Sequence, residues 1–298
     1  MNKHYQVAGH TMAVSMSPSL CLSLAKRLSH YEPFAIPTDA STVPLFHLEV
    51  TTTDKMPDAL EVEWRQDEEG QEIICGHIGT HPAFVFRWWG ATGGILTCSA
   101  DYREATLQLF TGKPGQNDGD ALHHSSTIDN ALMVLFALAS APYSTLLFHA
   151  STVSRHNYAY LFLGKSGTGK STHSRLWLRH VTDTELVNDD NPVVRILDNQ
   201  EAWVYGSPWS GKTPCYRNVG YPIGGIVGLA QAPHNAIRHV RGLEAYALLT
   251  SSISGKRWDR CVADGLHHSV NQLISNTPIW HLDCLPDADA AILCSSTL

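Results

Sequence analysis

No stretch of this sequence is apolar for long enough to span a bilayer, no two cysteines form a CxxC pair, and no block repeats along the chain. Basic residues are also scarce. Twenty-one Lys and Arg stand against 28 Asp and Glu, a net charge of −7, which argues against a nucleic-acid binder or a binder of anionic membranes. The opening segment "MNKHYQVAGHTMAVSM" lacks a continuous hydrophobic run, so no signal peptide is expected and the expected compartment is the cytoplasm. The seven cysteines (Cys21, Cys75, Cys98, Cys215, Cys261, Cys284, Cys294) are odd in number and scattered, which fits free thiols better than a disulfide frame. Histidines are plentiful, at 17, but the adjacent pairs His123–His124 and His267–His268 point their side chains in different directions and lack metal-site spacing.

What is present is enough apolar residue, 43% of 298, for a substantial core. Residues 4 to 16 alternate as a strand does, and 17 to 32, "SPSLCLSLAKRLSHYE", carries a Ser cap and apolar residues at helical spacing. From Leu45 to about Thr111, short β-branched and aromatic runs alternate with turn residues, which predicts an antiparallel meander. The stretch 111–120, "TGKPGQNDGD", is the most linker-like. Beyond it come a helix at about 126–140 and two strands, "STLLFHASTV" and "YAYLFLG", joined at Arg155–His156–Asn157. Strands and helices then alternate to the end. The fold class expected is α+β or α/β. A β-rich region, 1–120, is a candidate for substrate or partner recognition, and a nucleotide-binding α/β domain, 121–298, follows it.

The second of those strands runs into Gly164-Lys165-Ser166-Gly167-Thr168-Gly169-Lys170-Ser171, which fits G-x-x-x-x-G-K-[ST] at every position. Glycines let backbone N–H groups turn inward around an anion, and the following helix adds its positive end. Lys170 is expected at the β- and γ-phosphates and Ser171 on Mg²⁺, with Thr172 either assisting the metal or capping the helix. Nineteen positions after Lys170, "ELVNDDNP" places Asp189 and Asp190 at a strand end. One such carboxylate can hold Mg²⁺, and the other can take a proton from an attacking hydroxyl. The same residues are also good turn chemistry.

The loop, the early "DD" and the His of "FHAS" together resemble the HPr kinase/phosphorylase family, and the loop is similar to that of phosphoenolpyruvate carboxykinase. The resemblance covers about residues 145 to 230. It implies ATP and Mg²⁺ as cofactors and transfer of a phosphoryl group to a serine hydroxyl on a protein or peptide. Asp189 would be the base with His149 behind it, and Asp190 and Ser171 would be the metal ligands. Related kinases that act on a small precursor peptide are the nearer analogue, since the helix reads "STHSR" where HPr kinases have Ser-Glu. Four further residues have two possible readings or a structural one. Lys212 is either a neutraliser of the transferring phosphoryl group or an exposed loop lysine, and Arg217 either a phosphate clamp or a surface arginine. Trp209 is expected to pack and Arg155 to be solvated. A homo-oligomer is compatible with the sequence. Two other readings stay open: a nucleotide-responsive regulatory protein without phosphotransfer, and a small-molecule hydroxyl kinase.

Overall fold

The computed structural model describes residues 1–39, 42–55, 60–68, 70–111 and 119–298. The chain is mixed α/β and divides into two compact units, Met1–Ala139 and Ser140–Leu298. Most of the linker-like stretch 111–120 lies outside the described residues. Among the described residues no helix is long and apolar enough to cross a membrane.

The first unit is built on one nine-stranded sheet. Its strands are β1 (Asn2–Val7), β2 (His10–Met16), β3 (Ala35–Ile36), β4 (Phe46–Thr53), β5 (Glu61–Glu68), β6 (Gln71–Ile78), β7 (His81–Trp88), β8 (Ala91–Cys98) and β9 (Glu104–Phe110), with helix α1 (Pro18–Leu24) after β2. They lie in the order β3-β1-β2-β4-β9-β8-β7-β6-β5. Strands β5 to β9 form the antiparallel meander foreseen from their alternation, whereas β4 runs parallel to both β2 and β9. Residues 4 to 16 are a hairpin rather than a single strand, because Ala8 (φ 50°) and Gly9 (φ 77°) take the left-handed angles of a two-residue turn. The helix foreseen over 17–32 stops at Leu24. Leu22 is 76% exposed, and a 3₁₀ turn over Ser29–Phe34 buries Tyr31 and Phe34 instead. Helix α2 (Gly119–Ser140) belongs to this unit through Ala139. Contacts hold α2 there: Trp88 Nε1 donates to Thr127 Oγ1 (3.3 Å), and His124 Nε2 lies 2.8 Å from the Phe110 carbonyl.

The second unit carries a ten-stranded sheet. Its elements are β10 (Thr145–Phe148), β11 (Ala150–Arg155), β12 (Tyr158–Leu163), α3 (Lys170–His180), β13 (Thr184–Asn188), β14 (Val193–Ile196) and β15 (Ala202–Tyr205). There follow β16 (Gly220–Gln231), β17 (Ala236–His239), α4 (Gly242–Thr250), β18 (Ile253–Ser254), α5 (Arg260–Asn276), β19 (Ile279–Cys284) and α6 (Ala288–Thr297). The segment "STLLFHASTV" is two strands, not one. His149 is the break, its amide donating to the Ser252 carbonyl (2.7 Å), so β10 pairs with β14 and β18 while β11 pairs with β12 and β13. The β11–β12 hairpin turns on His156 (φ 50°) and Asn157 (φ 66°). Parallel pairing of β12 with β16, and of β16 with β19, forms the centre of the sheet. Against it packs a core of Val153, Phe162, Trp177, Val227, Leu282 and Cys294 that holds α3 in place.

Between β15 and β16 the chain doubles back, and Gly206 sits where only hydrogen fits. A Cβ there would lie 2.0 Å from the Arg217 carbonyl oxygen. Gly206→Ala is therefore expected to destabilise the protein by about 1–3 kcal/mol, read as a lower urea midpoint at an unchanged slope; a wild-type midpoint would show that this crossing yields freely.

Candidate active site

Strand β12 delivers the chain into the loop 164–169, and α3 starts at Lys170. Gly167 (φ 77°) and Gly169 (φ 110°) need glycine for their backbone angles, since a Cβ at either would meet nothing within 4 Å. Gly169 caps α3 without any side-chain hydrogen bond, and the His173 amide donates to the Gly169 carbonyl (2.8 Å). The first turn of α3 lies at the positive end of the helix, the arrangement that attracts an anion. Lys170 is buried and its Nζ donates back to the carbonyls of Gly164 (2.9 Å) and Lys165 (3.4 Å). Gln231 at the end of β16 braces the loop, donating to the Gly167 (3.2 Å) and Thr168 (3.3 Å) carbonyls. Ser171 is half-buried; Lys165, Ser166 and Thr172 are exposed.

The turn chemistry at the end of β13 belongs to Asn188. Its Oδ1 accepts from the amides of Asp190 (2.9 Å) and Asn191 (2.8 Å), and its Nδ2 donates to Ser207 Oγ (3.1 Å). Asp189 is buried, with Oδ1 accepting from Ser151 Oγ (2.7 Å) and its amide donating to Ser210 Oγ (3.3 Å). Ser151 Oγ in turn lies 2.5 Å from Ser174 Oγ on α3. Asp190 is more open, and His149 Nε2 stands 3.6 Å from its Oδ1. Gly211 packs on Asp190 so closely that a Cβ there would be 2.8 Å from the Asp190 Cβ.

The other residues singled out from the sequence are placed as follows. Lys212 follows Gly211 and is exposed. Arg217 donates to β13, to the Leu186 carbonyl (2.7 Å) and to Glu185 (2.7 Å). Trp209 is buried, and its carbonyl accepts from the Asn191 amide (3.1 Å). Sequence reasoning missed Ser151, Ser174, Asn188, Ser207, Ser210 and Gln231. The available signals were position alone: Ser151 lies two residues after His149, and Ser174 one helical turn after Ser171.

A cavity of about 550 Å³ opens beside the loop, lined among others by Gly167, Thr172, His173, Leu176, Leu229 and Gln231. His173 is edge-on to Phe162 (4.7 Å between centroids), and its Nε2 accepts from Trp177 Nε1 (3.1 Å), so the imidazole is held neutral. Burial pushes it down to about 4. At the opposite extreme, burial pushes the Cys294 thiol up to about 12.

No protein-family model and no curated protein matches this chain. Among solved structures, the Hpr(Ser) kinase/phosphatase from Coxiella burnetii is similar over 50% of this chain and 86% of its own, at 13% identity and a TM-score of 0.31.

Because His173 binds its proton more weakly in the fold than in the unfolded chain, its contribution to stability is fully present above about pH 6.5 and is lost as pH falls toward 4. Between pH 7 and pH 5 the wild type is expected to lose about 2 kcal/mol more than His173→Gln, which keeps an acceptor for Trp177 but does not titrate. Chemical denaturation at the two pH values measures the difference; equal losses would place the proton elsewhere.

Proposed function

We propose that this chain is a Mg²⁺- and ATP-dependent phosphotransferase that moves the γ-phosphoryl group to a serine-type hydroxyl of a protein or peptide. One observation carries this: the Ser174–Ser151–Asp189 contacts tie Asp189, and with it the adjoining Asp190, to the helix that the glycine-rich loop opens. The loop acts as a phosphate loop. Its amides and Lys170 hold the β- and γ-phosphates, and the cavity beside it takes the nucleoside end.

The donors suit magnesium. Ser171 and the aspartates offer hard oxygens, and no group of three or more His, Cys, Asp or Glu among the described residues is arranged to cage a metal. Mg²⁺ takes one or two protein ligands and completes its shell with water and substrate phosphates. When bound, it would offset the charge on the phosphates. Ser171 and Asp189 are its proposed ligands, because Asp189 is the carboxylate linked to α3, with Oδ2 making no hydrogen bond among the described residues. Asp190, more open and beside His149, is the proposed base. That exchanges the two roles expected from the sequence. The acceptor oxygen forms its bond to phosphorus as the bridging bond to ADP breaks, and Asp190 takes the hydroxyl proton. Lys212 approaches the transferring group from the segment that packs on Asp190. Arg217 keeps the end of β13 in shape rather than binding phosphate.

Transfer from labelled Mg-ATP to a serine-containing peptide pool and to free serine tests this. Asp190→Asn is expected to lower kcat by about 10²–10⁴-fold while retaining metal–nucleotide binding, and Asp189→Asn to lose metal-dependent binding. Label on peptide supports the proposal, and label on free serine alone means a metabolite kinase. Nucleotide binding with no labelled acceptor means a regulatory protein.

A further inference from the structure

The Ser174–Ser151–Asp189 contacts link the aspartates to the loop, but the part each serine plays in that link has not been assigned. Both serines are fully enclosed, at 0% and 1% exposure. A buried hydroxyl needs a partner, and each hydroxyl has one proton to donate. Ser151 Oγ gives its proton to Asp189 Oδ1, so across the 2.5 Å contact Ser174 must be the donor to Ser151. The chain therefore has one direction, from α3 through β11 to the end of β13. Ser174 shares a helical face with Lys170 (i, i+4) and Ser171 (i, i+3). The same face thus carries the phosphate-holding lysine, the proposed metal hydroxyl and the anchor of the proposed metal carboxylate.

We propose that Ser174 and Ser151 are positioning residues. They fix the Asp189 carboxylate to the phosphate-loop helix, so that Oδ1 is occupied by a hydroxyl and Oδ2 is presented to the metal together with the Ser171 hydroxyl. This rests on the phosphotransfer reading for the identity of the metal. Outer-shell partners of ligating carboxylates commonly control metal affinity by 10–100-fold. The structure also dictates how the two serines combine: Ser174 reaches Asp189 through Ser151.

The test is Mn²⁺ binding, followed by electron paramagnetic resonance on the full chain with saturating non-hydrolysable ATP analogue. Wild type is compared with Ser151→Ala, Ser174→Ala and the double variant, each checked for a cooperative thermal transition. Ser151→Ala is expected to weaken Mn²⁺ binding about tenfold, Ser174→Ala less, and the double variant no more than Ser151→Ala alone. Metal-free analogue binding should stay within about twofold throughout, because the loop amides are untouched. Serines that only filled space would lower the unfolding temperature of each variant and leave Mn²⁺ affinity alone, which overturns the proposal. So do additive losses in the double variant, or an Asp189 carboxylate keeping its orientation in a crystal structure of metal-free Ser151→Ala. A wild type that binds Mn²⁺–nucleotide but labels no acceptor sinks the phosphotransfer reading and leaves this one standing. A wild type that binds no Mn²⁺–nucleotide overturns both.

Discussion

A carboxylate taken out of water must find hydrogen bonds within the protein, and the burial of Asp189 imposes that requirement on everything around it. Three separate segments answer it. Strand β11 brings Ser151, α3 brings Ser174 behind it, and the loop after β15 brings Ser210 to the Asp189 amide. Asn188 then turns the backbone so that Asp190 emerges on the open side. If Ser151 moved by an ångström, the buried carboxylate would lose the hydrogen bond its burial calls for. The relative placement of the glycine-rich loop and the aspartates is thus enforced by solvation, not by the loop itself.

The loop end is held differently. The first amides of α3 lie ahead of the helix's own hydrogen-bond ladder, so the helix behind them must be firmly packed. Trp177 and His173 supply that packing, set tilted or edge-on against Phe162 and Tyr160. The neutral His173 belongs to this arrangement: a proton on it would place a charge within an aromatic cluster. Stability at low pH and a rigid start to α3 are therefore coupled through one imidazole.

The loop was legible in the sequence because its residues encode backbone angles directly; Gly167 and Gly169 have the positive φ that the pattern requires. The hairpin at His156–Asn157 and the meander β5–β9 were legible for the same local reason. What was not legible depends on distant partners. The break at His149 needs Ser252, about a hundred residues on, to take its amide. The parallel pairing of β4 with β9 leaves no local mark. Serines are too common for Ser151 and Ser174 to stand out, though together they explain the burial of Asp189. Adjacent aspartates look equivalent in one dimension, and only the turn made by Asn188 decides which is enclosed and which faces His149.

Charge offers an independent line toward the metal. The site gathers two carboxylates against one buried ammonium, Lys170, with His149 adjoining the more exposed acid. A nucleotide triphosphate placed on the loop amides adds several negative charges within a few ångströms of Asp189, where the Coulomb cost rises steeply as water is excluded. The helix end and Lys170 offset part of this, and Lys212 is the next cation along the chain from Gly211, which packs on Asp190. That balance still falls short. In the proposed function a divalent cation would offset the remaining charge, and Ser171 and Asp189 are the residues that would hold it.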